Sequence, residues 1–187
     1  PPGHHAEKNK SMGFCLFSNA AIISKYSIKE YNLSRVVVLD YDIHHGNGTQ
    51  ESFKSDENLI FFSTHEMPLF PGTGYENEKG LGNIFNYPLN PNCESSEFTN
   101  VWINKILPKV KEINPDLIIL SSGFDAHIDD NISTAKINSV DYKLLTKEIV
   151  DVANNVCNGK VLSFLEGGYN LNALKESVYY HLYELNQ

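Results

Sequence analysis

The sequence predicts an α/β domain in which helices cover both faces of a central, mainly parallel sheet. Short apolar runs alternate with helical patterns along the chain, and this alternation implies parallel strands joined by right-handed crossovers. The apolar runs are nearly continuous rather than alternating, as is typical of strands buried on both faces. The 187 residues are enough for one ordinary domain with its own core.

The four predicted strands are rich in Val, Ile, Leu and Phe, and they lie at residues 35–42, 58–64, 116–122 and 160–166. Helices are predicted between and after these strands, at residues 18–31, 46–54, 95–113, 138–157 and 171–185. Residues 64–83 are rich in Gly and Pro and show neither period, so we expect a long loop there. A loop of that length inside a compact domain is more often functional than idle.

Composition limits the classes of partner. With 15 Lys and Arg against 23 Asp and Glu, the formal charge is −8, which argues against nucleic-acid binding. The cysteines form no CxxC pair and no even framework, and this favours free thiols in a reducing compartment. No apolar run reaches membrane-spanning length and no basic import cluster is present, so we expect a cytoplasmic protein, with the nucleus as the alternative. The oligomeric state stays open.

Polar residues follow three of the predicted strands at the point where each strand ends. VVVL leads into Asp40, Asp42 and His44, LIIL leads into SSGFDAH, and VLSFL leads into EGGYN. In open α/β sheets the ligand crevice lies beyond the carboxyl ends of the strands. Three separate strands are therefore expected to bring reactive side chains to one edge of the sheet.

The spacing of the acidic and histidine residues indicates a metal site. If the first strand continues, Asp40, Asp42 and His44 point to the same face, because alternate residues of an extended chain do so. Asp125, after another strand, is the obvious third ligand beside Asp42 and His44. Two carboxylates and one imidazole with an open position describe a catalytic zinc site. Asp40 would then accept the ring N–H of a histidine.

Other motifs supply groups that could act on a substrate. PPGHHAE places His4 and His5 after a rigid turn, where one could act as a general base and the other be held in position. Tyr169 in EGGYN could donate a hydrogen bond to a developing oxyanion. Phe14 and Phe70, each in a predicted loop, could form a narrow slot for an alkyl chain.

Six motifs occur in the order in which the zinc-dependent histone deacetylases carry them: PPGHHAE, GFCLFSNAAI, VVVLDYDIHHGNGTQ, LFPGTG, SSGFDAH and LEGGYN. The chain resembles this family over its whole length, above all the class II branch and its bacterial relatives, which include acetylpolyamine amidohydrolases. The resemblance implies the three-layer arginase–deacetylase fold. Because Pro1 stands inside the first motif, residues 1–187 are expected to form a single partial deacetylase domain that lacks the N-terminal portion.

The resemblance also implies roles for the catalytic residues. His5 matches the general base of the family, and His4 matches its neighbour, which pairs with Asp40. The zinc ligands of the family match three positions, Asp42, His44 and Asp125.

The resemblance assigns the substrate tunnel as well. Tyr169 matches the tyrosine that polarises the substrate carbonyl, and Gly13, Phe14 and Phe70 match the tunnel that takes the acyl-lysine chain. Asn47 stands where class I members place an aspartate that orients the histidine, and asparagine is usual in class II. An amide accepts a ring N–H without carrying charge, so the general base should be less basic than with aspartate.

Family members also bind a monovalent cation beneath the zinc. The matching contacts here, to a structural K⁺, are backbone oxygens of Asp40, Asp42 and His44 together with Ser63 and Thr64.

The implied activity is removal of acetyl groups from acetyl-lysine side chains or related acetylated amines. The partners would be an acetylated protein lysine or an acetylated polyamine, with neither nucleic acid nor membrane involved. Arginase-like hydrolases share the fold, but they need two manganese ions and a different Asp/His spacing. A single D-x-D-x-H run with one distant Asp fits one zinc better. An acetylpolyamine amidohydrolase and a non-catalytic fragment or acetyl-ligand binding module remain the alternatives.

Overall fold

A five-stranded sheet forms the centre of the computed structural model, which describes residues 1–187. Every neighbouring pair of strands is parallel, and the spatial order is β3-β2-β1-β4-β5. The strands are β1 Val36–Asp40, β2 Leu59–Glu66, β3 Ile84–Leu89, β4 Leu117–Ser122 and β5 Val161–Leu165. The predicted parallel α/β architecture is therefore confirmed.

Six α-helices surround the sheet: α1 Asn19–Tyr31, α2 Asn47–Phe53, α3 Ser95–Val101, α4 Leu107–Ile113, α5 Ser139–Cys157 and α6 Leu171–Leu185. The predicted helix at 95–113 has the right span, but a π-helical turn, Trp102–Ile106, separates α3 from α4. At the start of α5, Asn138 and Asp141 form a reciprocal capping box, which explains the sharp helix start. None of the helices has the length and apolar composition needed to cross a bilayer.

Two apolar clusters lie on opposite faces of the sheet, and this makes the molecule three-layered. Alternate residues of β1 enter different clusters, because successive side chains of a strand point to opposite faces. Val37 and Leu39 pack in the larger cluster with residues of α3 to α6. Val36 and Val38 pack in the smaller cluster, which also contains residues of α1 and α2.

Two strand predictions differ from the structure. The first strand ends at Asp40, so Asp42 and His44 lie in a turn rather than in a continuing strand. The backbone N–H of Asp42 donates to the Asp40 carboxylate and that of His44 donates to the Asp42 carboxylate, and such local bonds compete with strand pairing. Strand β3 was not predicted; it is a half-buried edge strand containing Pro88, a residue that sheets tolerate at their edges.

A buried histidine connects three elements beneath the sheet. His181 of α6 lies with Nε2 2.8 Å from Ser163 Oγ on β5 and Nδ1 2.8 Å from Thr146 Oγ1 on α5. Burial lowers the pKa of His181 to about 4. The folded protein therefore holds this imidazole neutral at neutral pH.

Replacing His181 with Gln is expected to reduce the acid sensitivity of folding. The unfolded imidazole has a pKa of about 6.5, so as the pH falls the unfolded chain takes up the proton first. The stability contributed by the neutral ring is complete above that value and is lost between about pH 6.5 and pH 4, by roughly 2–3 kcal/mol. Urea unfolding near pH 7 and pH 4.5, with a chelator throughout, measures this. If the wild type and His181→Gln lost the same unfolding free energy between these two pH values, the lowered pKa of His181 would be contradicted.

Candidate active site

Three predicted ligand residues meet at the carboxyl edge of the sheet. Asp42 and His44 follow β1 and Asp125 follows β4, and these two strands are direct neighbours. The three side chains are buried, and their ligand atoms all lie within 4.8 Å of one another. His44 Nδ1 is 3.1 Å from Asp42 Oδ1 and 2.9 Å from Asp125 Oδ2. The pairing of β1 with β4 thus brings together residues that are 83 positions apart in the chain.

Backbone N–H groups hold the outer oxygen of each carboxylate. Gly167 N, after β5, donates to Asp42 Oδ2 over 2.8 Å, and Ile43 N donates to Asp125 Oδ1 over 3.0 Å. A side chain at position 167 would collide with both carboxylates, so only glycine allows this approach. The other oxygen of each carboxylate is left facing the His44 ring.

This arrangement carries an electrostatic cost that a cation would relieve. Burial, followed by the neighbouring charge of Asp42, raises the pKa of Asp125 to about 6. Two buried carboxylates beside one imidazole are the oxygen and nitrogen donors that Zn²⁺ takes in catalytic sites. The residues present therefore fit one divalent metal ion.

His4 contacts the carboxylate of Asp40, the last residue of β1. Its Nδ1 is 2.9 Å from Asp40 Oδ2, and both groups are buried. Burial alone would lower the pKa of His4, but the charges of Asp40, Asp42 and Glu166 together raise it well above its usual value. Glu166 also accepts hydrogen bonds from the backbone N–H groups of Gly3 and His4, and so it anchors the first motif.

His5 belongs to a chain of hydrogen bonds that defines its tautomer. Its Nδ1 is 2.8 Å from Asn47 Oδ1, and Asn47 Nδ2 donates to Glu7 Oε1 over 2.7 Å. A carboxylate only accepts, so the amide nitrogen of Asn47 must face Glu7 and its oxygen must face His5. His5 then carries its proton on Nδ1, which leaves Nε2 free to accept another.

The charge state of His5 agrees with this tautomer. Burial, followed by the neighbouring positive charge of His4, lowers the pKa of His5 to about 3. Two adjacent histidines therefore differ in their preferred state, with His4 charged and His5 neutral.

A cavity of about 440 Å³ opens above the ligand cluster. Its lining combines aromatic and aliphatic side chains with the imidazoles of His5 and His44. The lining residues are His5, Gly13, Phe14, His44, Leu69, Phe70, Ile132 and Tyr169. Burial, followed by the charges of Asp125 and Asp42, raises the pKa of Tyr169, so its phenol stays protonated at neutral pH. The cavity can accept an uncharged chain whose end meets a phenol donor and a neutral imidazole.

Backbone conformation presents the aromatic wall of this cavity. Phe14 has a φ of +63°, in the left-handed region that bulky residues rarely adopt, and its exposed ring lies 6.1 Å from that of Tyr169. At Gly13, where φ is +53°, a side chain would collide with the His5 ring. Opposite them, the Phe70 ring meets the His5 ring edge-on, with centroids 5.0 Å apart.

The predicted monovalent-cation residues lie below this cluster. Ser63 of β2 is paired in register with Asp40 of β1. Its hydroxyl lies 2.9 Å from His65 Nδ1, and the Thr64 hydroxyl accepts a hydrogen bond from Trp102 Nε1. Both residues are therefore buried next to the β1 end, with their side chains already hydrogen-bonded within the protein.

Several residues of the site had no predicted role, among them Glu7, Leu69, Ile132 and Glu166. Glu7 and Glu166 belong to motifs recognised in the sequence, but their partners, Asn47 and the backbone of His4, lie far away along the chain. Leu69 stands immediately before Phe70 in the sequence, and this position was the one available indication that it could also line the cavity wall.

Comparisons with known proteins identify the family and the fold of the chain. The histone deacetylase domain model matches residues 1–185. The chain is 39% identical over 182 residues to chloroplastic histone deacetylase 14 of Arabidopsis thaliana, covering 95% of this chain and 43% of that protein. It is 40% identical over 175 residues to a probable deacetylase of Archaeoglobus fulgidus, covering 91% and 48%. The crystal structure of the HDA15 HD domain superposes with a TM-score of 0.92 at 33% identity, covering 99% of this chain and 53% of that one.

The fold is thus the arginase–deacetylase α/β fold, here with a ligand cluster at the carboxyl edge of its sheet. The chain belongs to the histone deacetylase family. It spans about half the length, or less, of these relatives.

Proposed function

We propose that the chain is a zinc-dependent amidohydrolase that removes acetyl groups from acetyl-lysine side chains or related acetylated amines. The observation that carries this proposal is the position of the Asp42, His44 and Asp125 cluster at the floor of an apolar cavity. A metal-ligand set, a neutral imidazole and a protonated phenol around one end of such a cavity suit hydrolysis of a neutral amide.

In this proposal Asp42, His44 and Asp125 hold one Zn²⁺. Zinc, when bound, supplies a Lewis acid that polarises the amide carbonyl and makes water more acidic. A structural K⁺ near the β1 end is a second proposed ion. It is supported by the carbonyl oxygens of Asp42 and His44, which accept no backbone hydrogen bond.

The protein's own residues move the protons. His5 accepts a proton from the attacking water at Nε2, because Asn47 holds the other ring proton on Nδ1. The Tyr169 hydroxyl donates a hydrogen bond to the carbonyl oxygen as negative charge develops there. Until the amine departs, His4 stays paired with Asp40 and holds positive charge next to His5.

Departure of the amine completes the reaction. A protonated histidine, His5 or His4, gives its proton to the amine nitrogen as the C–N bond breaks. One water is added across the amide bond, and the products are acetate and a free amine. The phenol and the apolar walls keep the acyl end oriented throughout.

The proposed partners are an acetylated protein lysine or an acetylated polyamine. Apart from the metal ligands at its floor, the cavity lining contains no carboxylate, which favours a substrate whose chain is uncharged near the acetyl group. We also propose a cytoplasmic location, because all three cysteines are free thiols.

Acetate release from an acetyl-lysine peptide and from an acetylated polyamine, with and without a chelator, tests the proposal. We expect release that the chelator abolishes and added zinc restores, and the faster substrate identifies the substrate class. Binding of acetylated ligand without release would favour a binding module instead. Release that is insensitive to the chelator would contradict the role of the metal.

A further inference from the structure

Asp130 is a buried carboxylate that none of the sequence motifs assigns to the active site. It lies in the turn after β4, five residues beyond Asp125, and is 5% exposed. Its Oδ2 accepts hydrogen bonds from the backbone N–H groups of Tyr169, over 2.6 Å, and of Asn170, over 3.1 Å. Its Oδ1 accepts from Ile132 N over 3.3 Å. One carboxylate thus binds the backbone of two cavity-lining residues, Tyr169 and Ile132.

The loop that carries Tyr169 is anchored on both sides, but the backbone of Tyr169 itself makes its hydrogen bond to Asp130. The loop lies between the end of β5 and the start of α6, where Glu166 N donates to Ser122 O on one side and Leu174 N donates to Asn170 O on the other. Gly168 within it has a φ of +136°, a conformation that L side chains rarely adopt. Tyr169 is 45% exposed, so packing holds its side chain only in part. The hydrogen bond to Asp130 is therefore the direct restraint on the backbone of Tyr169.

We propose that Asp130 is a positioning residue for the reaction, holding Tyr169 where its hydroxyl meets the substrate carbonyl oxygen. This inference rests on the proposed function. Hydrogen bonds to an ionised carboxylate are stronger than neutral ones, and these lie at the N-terminal end of α6, where the helix dipole favours negative charge. A displacement of the phenol by about 1 Å could cost on the order of 100-fold in rate.

Three substitutions separate this role from a general effect of charge. Asp130→Ala removes all three hydrogen bonds, while Asp130→Asn keeps an oxygen that can accept from Tyr169 and Asn170. Asp129→Ala is the matched control, because the Asp129 side chain is 70% exposed and only its backbone oxygen contacts Asn170. We expect kcat to fall about 10- to 100-fold in Asp130→Ala and less in Asp130→Asn, with the metal content retained. Asp129→Ala should stay within about twofold of the wild type.

A double-mutant cycle tests whether Asp130 acts through the phenol. If it does, Asp130→Ala should lower kcat much less in a Tyr169→Phe background than in the wild type, because the hydroxyl to be positioned is already missing. A loss of equal size in both backgrounds would indicate general destabilisation and would overturn the inference. So would an effect confined to KM.

Amide hydrogen exchange provides a readout that does not depend on activity. Exchange at Tyr169 and Asn170 should be faster in Asp130→Ala by about tenfold or more and unchanged in Asp129→Ala. Unchanged exchange in Asp130→Ala would overturn the inference, whether or not the wild type releases acetate. Absence of acetate release by the wild type, alongside faster exchange in the variant, would count against the proposed function alone.

Discussion

Asp125→Asn is expected to abolish metal binding and to lower acetate release by more than about 100-fold. Loss of an outer hydrogen-bond partner of a ligand costs up to about that factor, and Asp125 is itself a proposed ligand. The amide keeps the shape of the side chain and accepts the same bond from Ile43 N, so the change is confined to charge and ligand strength. Thermal unfolding of the metal-free protein checks that the variant still folds, since Asp125 also contacts the His44 ring over 2.9 Å.

Metal content after dialysis, measured by atomic emission beside acetate release and thermal unfolding, checks this prediction. Asp129→Asn is the matched control, since it makes the same chemical change at an exposed position of the same segment. It should keep one metal ion per chain and wild-type release. A variant Asp125→Asn that still bound one metal ion tightly would remove Asp125 from the ligand set.

Tyr169→Phe is expected to lower kcat by about 10²- to 10³-fold, as does the loss of one hydrogen-bond donor to an oxyanion in other hydrolases. Metal binding should be unchanged, because the metal-ligand cluster does not include the phenol. The ring and its contact with Phe14 remain, so the cavity keeps its shape. The expected loss therefore falls on the chemical step rather than on substrate binding.

Steady-state kinetics together with metal titration measure these two effects separately. Tyr179→Phe removes a hydroxyl from an exposed tyrosine of α6 and serves as the control. Equal losses of kcat and metal affinity in Tyr169→Phe would mean that the tyrosine acts on the metal site and not on the carbonyl oxygen.

Much of this site could be predicted because it depends on local features. The spacing of Asp42 and His44 and the place of Asp125 after its own strand are visible in the sequence, and a parallel sheet brings such strand ends to one edge. The reason given for their common orientation was wrong, since β1 stops at Asp40. The Asp42 and His44 side chains are brought together by a hydrogen-bonded turn instead.

The rest could not be predicted because it depends on contacts between distant segments. Glu166 lies 162 residues from His4, and Asp130 lies 39 residues from Tyr169. Acidic residues in polar motifs are usually solvated, so the sequence gives no reason to single these two out. Strand β3 was missed for another reason: an edge strand needs little apolar surface, so its pattern is weak.

The backbone bonds to the two ligand carboxylates have a consequence for folding. One bond joins Ile43 to Asp125, 82 positions away, and the other joins Gly167 to Asp42, 125 positions away. These segments follow three different strands, so the ligand geometry exists only after the strands have assembled into the sheet. Folding must first overcome the loss of chain entropy that comes with closing these long loops, and only then can the ligand cluster form. A metal ion that binds this cluster therefore binds the native state and not the unfolded chain, and its binding free energy adds to the stability of the whole domain. The bound ion thus stabilises the sheet by connecting segments that follow different strands. Retention of the ion is therefore a sensitive measure of whether these strands have their native arrangement.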